Sequence, residues 1–118
     1  MSQVTRRRWR NYKTEAGRCP VSDFLDSLSD HDAAEIVAAM NLVARDGLVA
    51  ARHLRGDIYE VRVDGLSSAY RVLFSAEGRR HSVLLALEAF SKKSQKTPPR
   101  FIELAQRRLD DWHQRAKR

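Results

Sequence analysis

The spacing of apolar positions divides the chain into a helical first half and a sheet-forming second half. From Pro20 onward apolar residues recur three and four positions apart, which predicts a short amphipathic helix; they are Val21, Phe24, Leu25 and Leu28. Ser29 and Asp30 are candidate caps for a second helix, and Gly47 is placed to end it. Its apolar stripe comprises Ala33, Ile36, Val37, Met40 and Val43. The two helices are expected to form a helical hairpin.

In the second half, apolar and polar residues alternate with the period of a half-buried strand. Two such stretches, Ile58–Val63 and Ala69–Phe74, are separated by Asp64-Gly65 and predict a β-hairpin. A third stretch, Ser82–Leu87, is apolar on both faces and is therefore expected in the centre of the sheet.

Two further elements are predicted at the ends of the chain. Arg7–Tyr12 is a candidate strand, and Thr97-Pro98 is a favourable start for a C-terminal helix. The apolar stripe of that helix comprises Phe101, Leu104, Ala105, Leu109 and Trp112. The order β-α-α-β-β-β-α in 118 residues indicates one α+β domain spanning residues 1–118.

Strand alternation also predicts which side chains of the β-hairpin share a face. If its tyrosines and valines face the core, Glu60, Arg62 and Arg71 share the opposite face. A four-residue loop would pair Val63 with Ser68 and set Glu60 directly across from Arg71. Such a sheet would expose guanidinium groups on one face, which suits a polyanion.

The net charge of +7 is unevenly distributed along the chain. Residues 1–19 carry +5, residues 20–47 carry −5 and residues 48–118 carry +7. This segregation predicts a basic working face and an acidic back. Solubility alone is the alternative explanation of the high net charge, and it stays open here.

Several classes of function are disfavoured by the sequence. The longest apolar run, Val83–Leu87, is too short to span a bilayer, so no membrane partner is expected. Cys19 has no partner for an internal disulfide, which favours a cytoplasmic protein. The four histidines lie far apart, and no phosphate-binding glycine loop occurs, so neither a metal nor a cofactor is predicted.

Four segments in this order resemble the RelE/ParE superfamily of bacterial toxins, and within it the phage-derived HigB-like branch. They are Gly17–Leu28, His53–Arg62, Tyr70–Phe74 and Phe90–Pro98. The resemblance implies a small antiparallel sheet packed on the helical hairpin. It also implies a toxin of a type II toxin–antitoxin pair. The RelE branch consists of ribosome-dependent mRNA endoribonucleases, whereas the ParE branch poisons DNA gyrase.

The resemblance also implies candidate catalytic residues for a metal-free cleavage by the RNA 2′-hydroxyl. Arg71 follows Tyr70 as in the family's phosphate clamp, and Arg62 would hold the phosphate. Lys92 and Lys93 lie in the segment where RelE-type proteins place a basic catalytic residue. One of them, with Lys93 favoured over Lys92, would contact the scissile phosphate or protonate the leaving oxygen.

Three further residues are candidates for substrate binding. Lys96 is expected to contact the RNA backbone. Glu60 is interpreted as orienting Arg71, with a general-base role as the alternative. His53 is either a base or a packing residue.

The expected partners are a HigA-like antitoxin with a helix-turn-helix domain and mRNA on the ribosome. Two alternatives remain open: a non-catalytic toxin that binds gyrase, and a degenerate member that only binds nucleic acid.

Overall fold

The computed structural model describes residues 7–65, 68–92 and 96–117. Its strands are β1 (Arg8–Asn11), β2 (Arg52–Arg55), β3 (Ile58–Asp64), β4 (Ala69–Glu77) and β5 (Val83–Lys92). Its α-helices are α1 (Pro20–Asp26), α2 (Asp30–Asp46) and α3 (Pro99–Ala116). The strands form one sheet in the order β1-β5-β4-β3-β2. The predicted α+β fold class is confirmed.

The sheet is mixed rather than wholly antiparallel. β2 to β5 form antiparallel pairs, whereas β1 runs parallel to β5 at the edge. The central position predicted for the third apolar stretch is confirmed, because β5 lies between β1 and β4. That strand is longer than predicted and continues from Leu87 to Lys92.

The sequence reading missed one strand, so the element order is β-α-α-β-β-β-β-α. The missed strand is β2, whose residues are Arg-His-Leu-Arg. Leu54 is the one apolar residue of β2, so no alternating pattern marks it. β2 is a strand because it pairs with β3, with Arg52 opposite Glu60 and His53 opposite Tyr59.

Both predicted helices are confirmed and pack on the same face of the sheet, and the boundaries of α2 follow from local chemistry. The Ser29 side chain accepts a hydrogen bond from the Asp32 amide at 3.2 Å, which caps α2. Gly47 ends α2 with φ at 88°, a backbone conformation that is unfavourable for residues other than glycine. None of the helices in the described ranges is long and apolar enough to cross a membrane.

Two apolar layers lie on opposite sides of the sheet. On the α1/α2 face, strand residues including Val61, Val72 and Phe74 pack against Ile36 and Val43. On the α3 face, a second apolar layer packs under α3; its fully buried members are Ile58, Leu73, Leu85, Leu87, Ala105 and Leu109. Most residues of the predicted helical stripes are therefore buried or half-buried, but Val37 of the α2 stripe is exposed. α3 covers the second face of the sheet.

The predicted register of the β-hairpin is wrong by two residues. Arg62 lies opposite Arg71, and Glu60 lies opposite Leu73. Asp64 extends β3, and the turn is closed by the Gly65 amide, which donates to the Ser68 carbonyl at 2.8 Å. A displacement of two residues preserves the face of every side chain. The predicted sharing of one face by Glu60, Arg62 and Arg71 consequently holds.

Candidate active site

The charged candidates converge on the α3 face, at the end of the sheet where α3 begins. Glu60 and Arg62 come from β3, Arg71 comes from β4, and Lys92 comes from the last position of β5. Strand pairing brings them together, because Arg62 lies opposite Arg71, and Lys92 lies opposite Ala69. We call Glu60, Arg62, Asp64, Arg71, Lys92 and Thr97 the Glu60 cluster.

Glu60 is the centre of this cluster and is fully buried. Its Oε1 accepts a hydrogen bond from Arg62 Nε at 2.9 Å and lies 3.7 Å from Arg71 Nε. Its Oε2 accepts a hydrogen bond from the hydroxyl of Thr97. A buried carboxylate needs such partners because it has lost its hydration. The expected role of Glu60 in orienting Arg71 is consistent with these distances.

Arg71 is only 3% exposed, so the expectation of a guanidinium group displayed on the sheet surface is wrong for this residue. Its Nη1 donates to Asp64 Oδ1 at 3.1 Å and to the Tyr70 carbonyl at 2.8 Å. Its Nε is buried and has no hydrogen-bond acceptor within the described ranges. An unsatisfied buried donor costs about 1–3 kcal/mol, and it is an available contact for an additional oxygen.

Lys92 is part of β5, not of an edge loop, and it is 7% exposed. Burial lowers the pKa of its ammonium group, and the neighbouring guanidinium groups of Arg71, Arg62 and Arg52 lower that pKa further. Glu60 acts in the opposite direction and raises the pKa. The position of Lys92 therefore favours release of a proton more than a solvated lysine does.

Arg62 of the cluster and two further basic side chains, Arg52 and Lys96, extend the positive charge to the surface. The Arg62 side chain is 31% exposed. Arg52 is exposed and lies opposite Glu60 on β2, and Lys96 is exposed next to Thr97. Strands β2, β3, β4 and β5 therefore each contribute a cation around the carboxylates of Glu60 and Asp64. Their excess of positive charge can hold the oxygens of an anion such as a phosphate.

The structure does not bring every candidate to this position. His53 lies on the α1/α2 face, where its ring is 4.9 Å from the ring of Tyr59 and its Nε2 is 2.8 Å from the Gly56 carbonyl. It is therefore on the opposite side of the sheet from Arg71. Lys93 lies outside the described residues.

Sequence reasoning missed three members of the site and its surroundings. Thr97 was interpreted as a helix cap, but α3 begins at Pro99 and has no side-chain cap bond. Asp64 was interpreted as a turn residue, and Arg52 belongs to the strand that was missed. The polar residues at alternate positions 60, 62 and 64 could have predicted that Asp64 shares the face of Glu60 and Arg62. No local signal exists for Thr97, because its contact depends on where α3 packs.

No three histidine, cysteine, aspartate or glutamate side chains lie together as a possible metal site in residues 7–65, 68–92 and 96–117. The Glu60 cluster itself offers guanidinium, ammonium, carboxylate and hydroxyl groups. These groups can bind an anion and transfer protons.

Comparison with known proteins gives a family and two relatives. The family described as "Phage derived protein Gp49-like" matches residues 23–110, a range that contains the whole Glu60 cluster. Two proteins described as "Probable endoribonuclease HigB1" are each 35% identical to the chain over 107 residues. They come from Mycobacterium tuberculosis strains CDC 1551 / Oshkosh and ATCC 25618 / H37Rv. Each alignment covers 88% of this chain and 83% of the relative.

Proposed function

Because the chain belongs to the phage-derived Gp49-like family, we propose that it is a toxin–antitoxin toxin that cleaves mRNA as an endoribonuclease. The name of its two relatives, probable endoribonuclease HigB1, supports the class of reaction. The observation that carries the proposal is the Glu60 cluster, in which cations outnumber carboxylates and Arg71 Nε has no acceptor among the described residues. This arrangement suits a phosphate diester.

In the proposed reaction, the RNA 2′-hydroxyl gives its proton to a base and attacks the adjacent phosphate. A 2′,3′-cyclic phosphate forms, the P–O5′ bond breaks, and the 5′-oxygen leaves with a proton supplied by an acid. Negative charge accumulates on the oxygens of the pentavalent intermediate, where fixed positive groups stabilise it. Arg62 reaches solvent and is placed to hold the phosphate first. Arg71 and Lys92 lie behind it, where burial strengthens their electrostatic effect.

Lys92 is our candidate for the acid that protonates the leaving oxygen. Its pKa is lowered by burial and by nearby guanidinium groups, which brings its proton closer to transfer at neutral pH. Lys93 remains an alternative for this step, and Lys96 a candidate contact to the RNA backbone. Glu60 is not solvent-exposed, and we assign it the role of holding Arg62 and Arg71 rather than that of a base.

The decisive experiment adds the purified protein to translating ribosomes and maps the 5′ ends of the mRNA, with ribosome-free mRNA as a second arm. We expect new ends in the ribosome arm for the wild-type protein and for Arg45→Ala, a matched control on the opposite layer of the fold. We expect about 10²–10³-fold less cleavage for Arg62→Ala. No cleavage in either arm, together with inhibition of DNA supercoiling by gyrase, would favour the gyrase-binding alternative.

The proposed partner is an antitoxin with a helix-turn-helix domain encoded beside this gene. Co-expression followed by affinity purification should recover a complex that represses its own promoter. Failure to recover a complex with the neighbouring gene product would reject this pairing without affecting the nuclease proposal.

A further inference from the structure

The start of α3 is connected to the Glu60 cluster through one side chain. We propose that Thr97 is a positioning residue: its hydroxyl fixes the Glu60 carboxylate, which then holds Arg62 and Arg71 in the orientation that meets a phosphate. This inference rests on the proposed function. It concerns a residue outside the set of basic side chains that would contact RNA.

The two oxygens of Glu60 have different partners, so the orientation of its carboxylate depends on Thr97. Oε1 is turned towards the Nε atoms of Arg62 and Arg71, at 2.9 Å and 3.7 Å. Oε2 accepts from the Thr97 hydroxyl. The last side-chain torsion of a glutamate has a broad, roughly two-fold distribution of angles. The plane of the carboxylate is therefore fixed only when each of its oxygens has a donor.

The Thr97 hydroxyl is not needed to start or to hold α3. The helix begins at Pro99, and the residue in the N-cap position is Pro98, without a side-chain cap bond. α3 is held on the sheet by the stacking of Phe101 on Phe90, with ring centroids 3.9 Å apart. Arg108 also donates to the Leu87 carbonyl at 2.7 Å. Removing the hydroxyl should therefore leave α3 in place.

The first test separates binding from cleavage with three variants. Thr97→Val keeps the shape and removes the donor, Thr97→Ser keeps the donor, and Thr14→Val removes a hydroxyl remote from the cluster. Thr14 Oγ1 accepts from the Arg18 amide at 3.0 Å and is the matched control. Cleavage is measured in single-turnover reactions at saturating protein, and affinity with an RNA carrying a 2′-deoxy substitution at the scissile position.

We expect Thr97→Val to lower the single-turnover rate about 10- to 100-fold, the effect of losing one hydrogen bond to a charged group. Its affinity for the uncleavable RNA should change less than about twofold, and its melting temperature should match that of Thr14→Val. Thr97→Ser should recover most of the rate. A wild-type rate in Thr97→Val, or a Thr97→Ser protein as slow as Thr97→Val, would overturn the positioning role.

A second measurement does not depend on activity. In ¹⁵N-arginine NMR spectra, assigned with Arg62→Lys and Arg71→Lys, the Nε–H signals report the contacts with Glu60. Thr97→Val should move both signals and accelerate their hydrogen exchange, and Thr97→Ser should restore them. Unchanged signals in Thr97→Val reject the positioning role. Absence of cleavage by the wild-type protein with shifted signals rejects the nuclease proposal alone.

Discussion

The two faces of the sheet are built from the same strands but are stabilised in different ways. On the α1/α2 face, apolar side chains of β3 and β4 continue to the end of the β-hairpin, where Val63 and Tyr70 are both buried. On the α3 face, the apolar side chains of β3 and β4 stop at Ile58 and Leu73, and charged residues take positions between these two and the turn. Of the described strands, only the neighbouring strand β5 continues the apolar layer, with Phe90 opposite Arg71. One face is a closed core, and the other combines a core with a charged cluster.

Within β3 and β4, the side chains of one face therefore stabilise the fold, whereas charged side chains of the other face are available for chemistry. Burying a large apolar side chain contributes about 1.5–3 kcal/mol, so the α1/α2 face stabilises the fold directly. Buried ion pairs contribute little net free energy, because desolvation offsets their attraction. The Glu60 cluster is therefore not explained by stability, and its presence in a small protein fits a role in binding and reaction.

Removing the central carboxylate should produce the largest effect. Glu60→Gln leaves buried cations without a compensating charge, and we expect the free energy of unfolding to fall by about 3–5 kcal/mol. Urea denaturation at pH 7 measures this change. Glu103→Gln, on the exposed side of α3, is the control and should match the wild-type protein. Equal stability of Glu60→Gln would show that the cluster does not depend on this charge.

Replacement of either arginine of the cluster should reduce cleavage, but only one of the two replacements should also reduce the stability of the fold. We expect both Arg62→Ala and Arg71→Ala to lower the cleavage rate about 10²–10³-fold, or about 3–4 kcal/mol. Only Arg71→Ala should also destabilise the fold, by about 1–3 kcal/mol, because Arg71 is buried and its loss removes a donor to Asp64 and one of the cations beside the buried Glu60. Thermal denaturation and mRNA cleavage are measured on the same samples.

Two further variants sharpen the comparison of the arginines. Arg71→Lys should also cleave poorly, because an ammonium group cannot reproduce the two directed contacts of a guanidinium group. Tyr70→Phe removes the hydrogen bond to Asp32 Oδ2, 2.6 Å long, on the α1/α2 face. It should lower the melting temperature and leave cleavage intact. Full activity of Arg71→Ala would exclude this residue from the reaction.

A smaller effect is expected from the buried lysine, and it should depend on pH. The pKa of Lys92 is lowered in the folded state, chiefly by burial, so between that pKa and the unfolded value the unfolded chain binds more protons. Wild-type stability should therefore rise with pH in this window relative to Lys92→Met. At pH 7 we expect Lys92→Met to be more stable by about 1 kcal/mol, with the difference shrinking towards pH 10.

Urea denaturation of both proteins at several pH values tests this prediction. Lys117→Met, at an exposed position, serves as the control and should show no such trend. If the difference in unfolding free energy between Lys92→Met and the wild-type protein stays constant from pH 7 to pH 10, burial does not lower the pKa of Lys92 as we expect.

The smallest expected effect concerns the salt dependence of RNA binding. If the cluster and its exposed neighbours contact about four to six phosphates, the slope of log affinity against log salt should be roughly −3 to −4 for single-stranded RNA. Arg52→Ala should make the slope less negative by about 0.7. Ser29→Ala, which removes the cap of α2, should leave it unchanged. A slope near zero for the wild-type protein would contradict phosphate binding at this face.

The sequence by itself determined the helices α1 and α2, the β-hairpin and the central strand. Each of these rests on periodicity or on a local cap, as with Ser29 and Gly47, so neighbouring residues suffice to specify it. The same is true of the shared face of Glu60, Arg62 and Arg71, because an error of two residues in register leaves every side chain on the same face. The motifs that resemble the toxin superfamily likewise lie in short contiguous segments, and the family assignment is confirmed.

Tertiary structure alone decided the burial of Arg71, the placement of His53 on the other face and the bond between Thr97 and Glu60. These features depend on β2 pairing with β3 and on α3 packing over the sheet, between segments far apart in sequence. Thr97 and Glu60 are 37 positions apart, and their contact is one hydrogen bond. Local propensity cannot encode such a contact, because its geometry exists only after the apolar layers of both faces have formed.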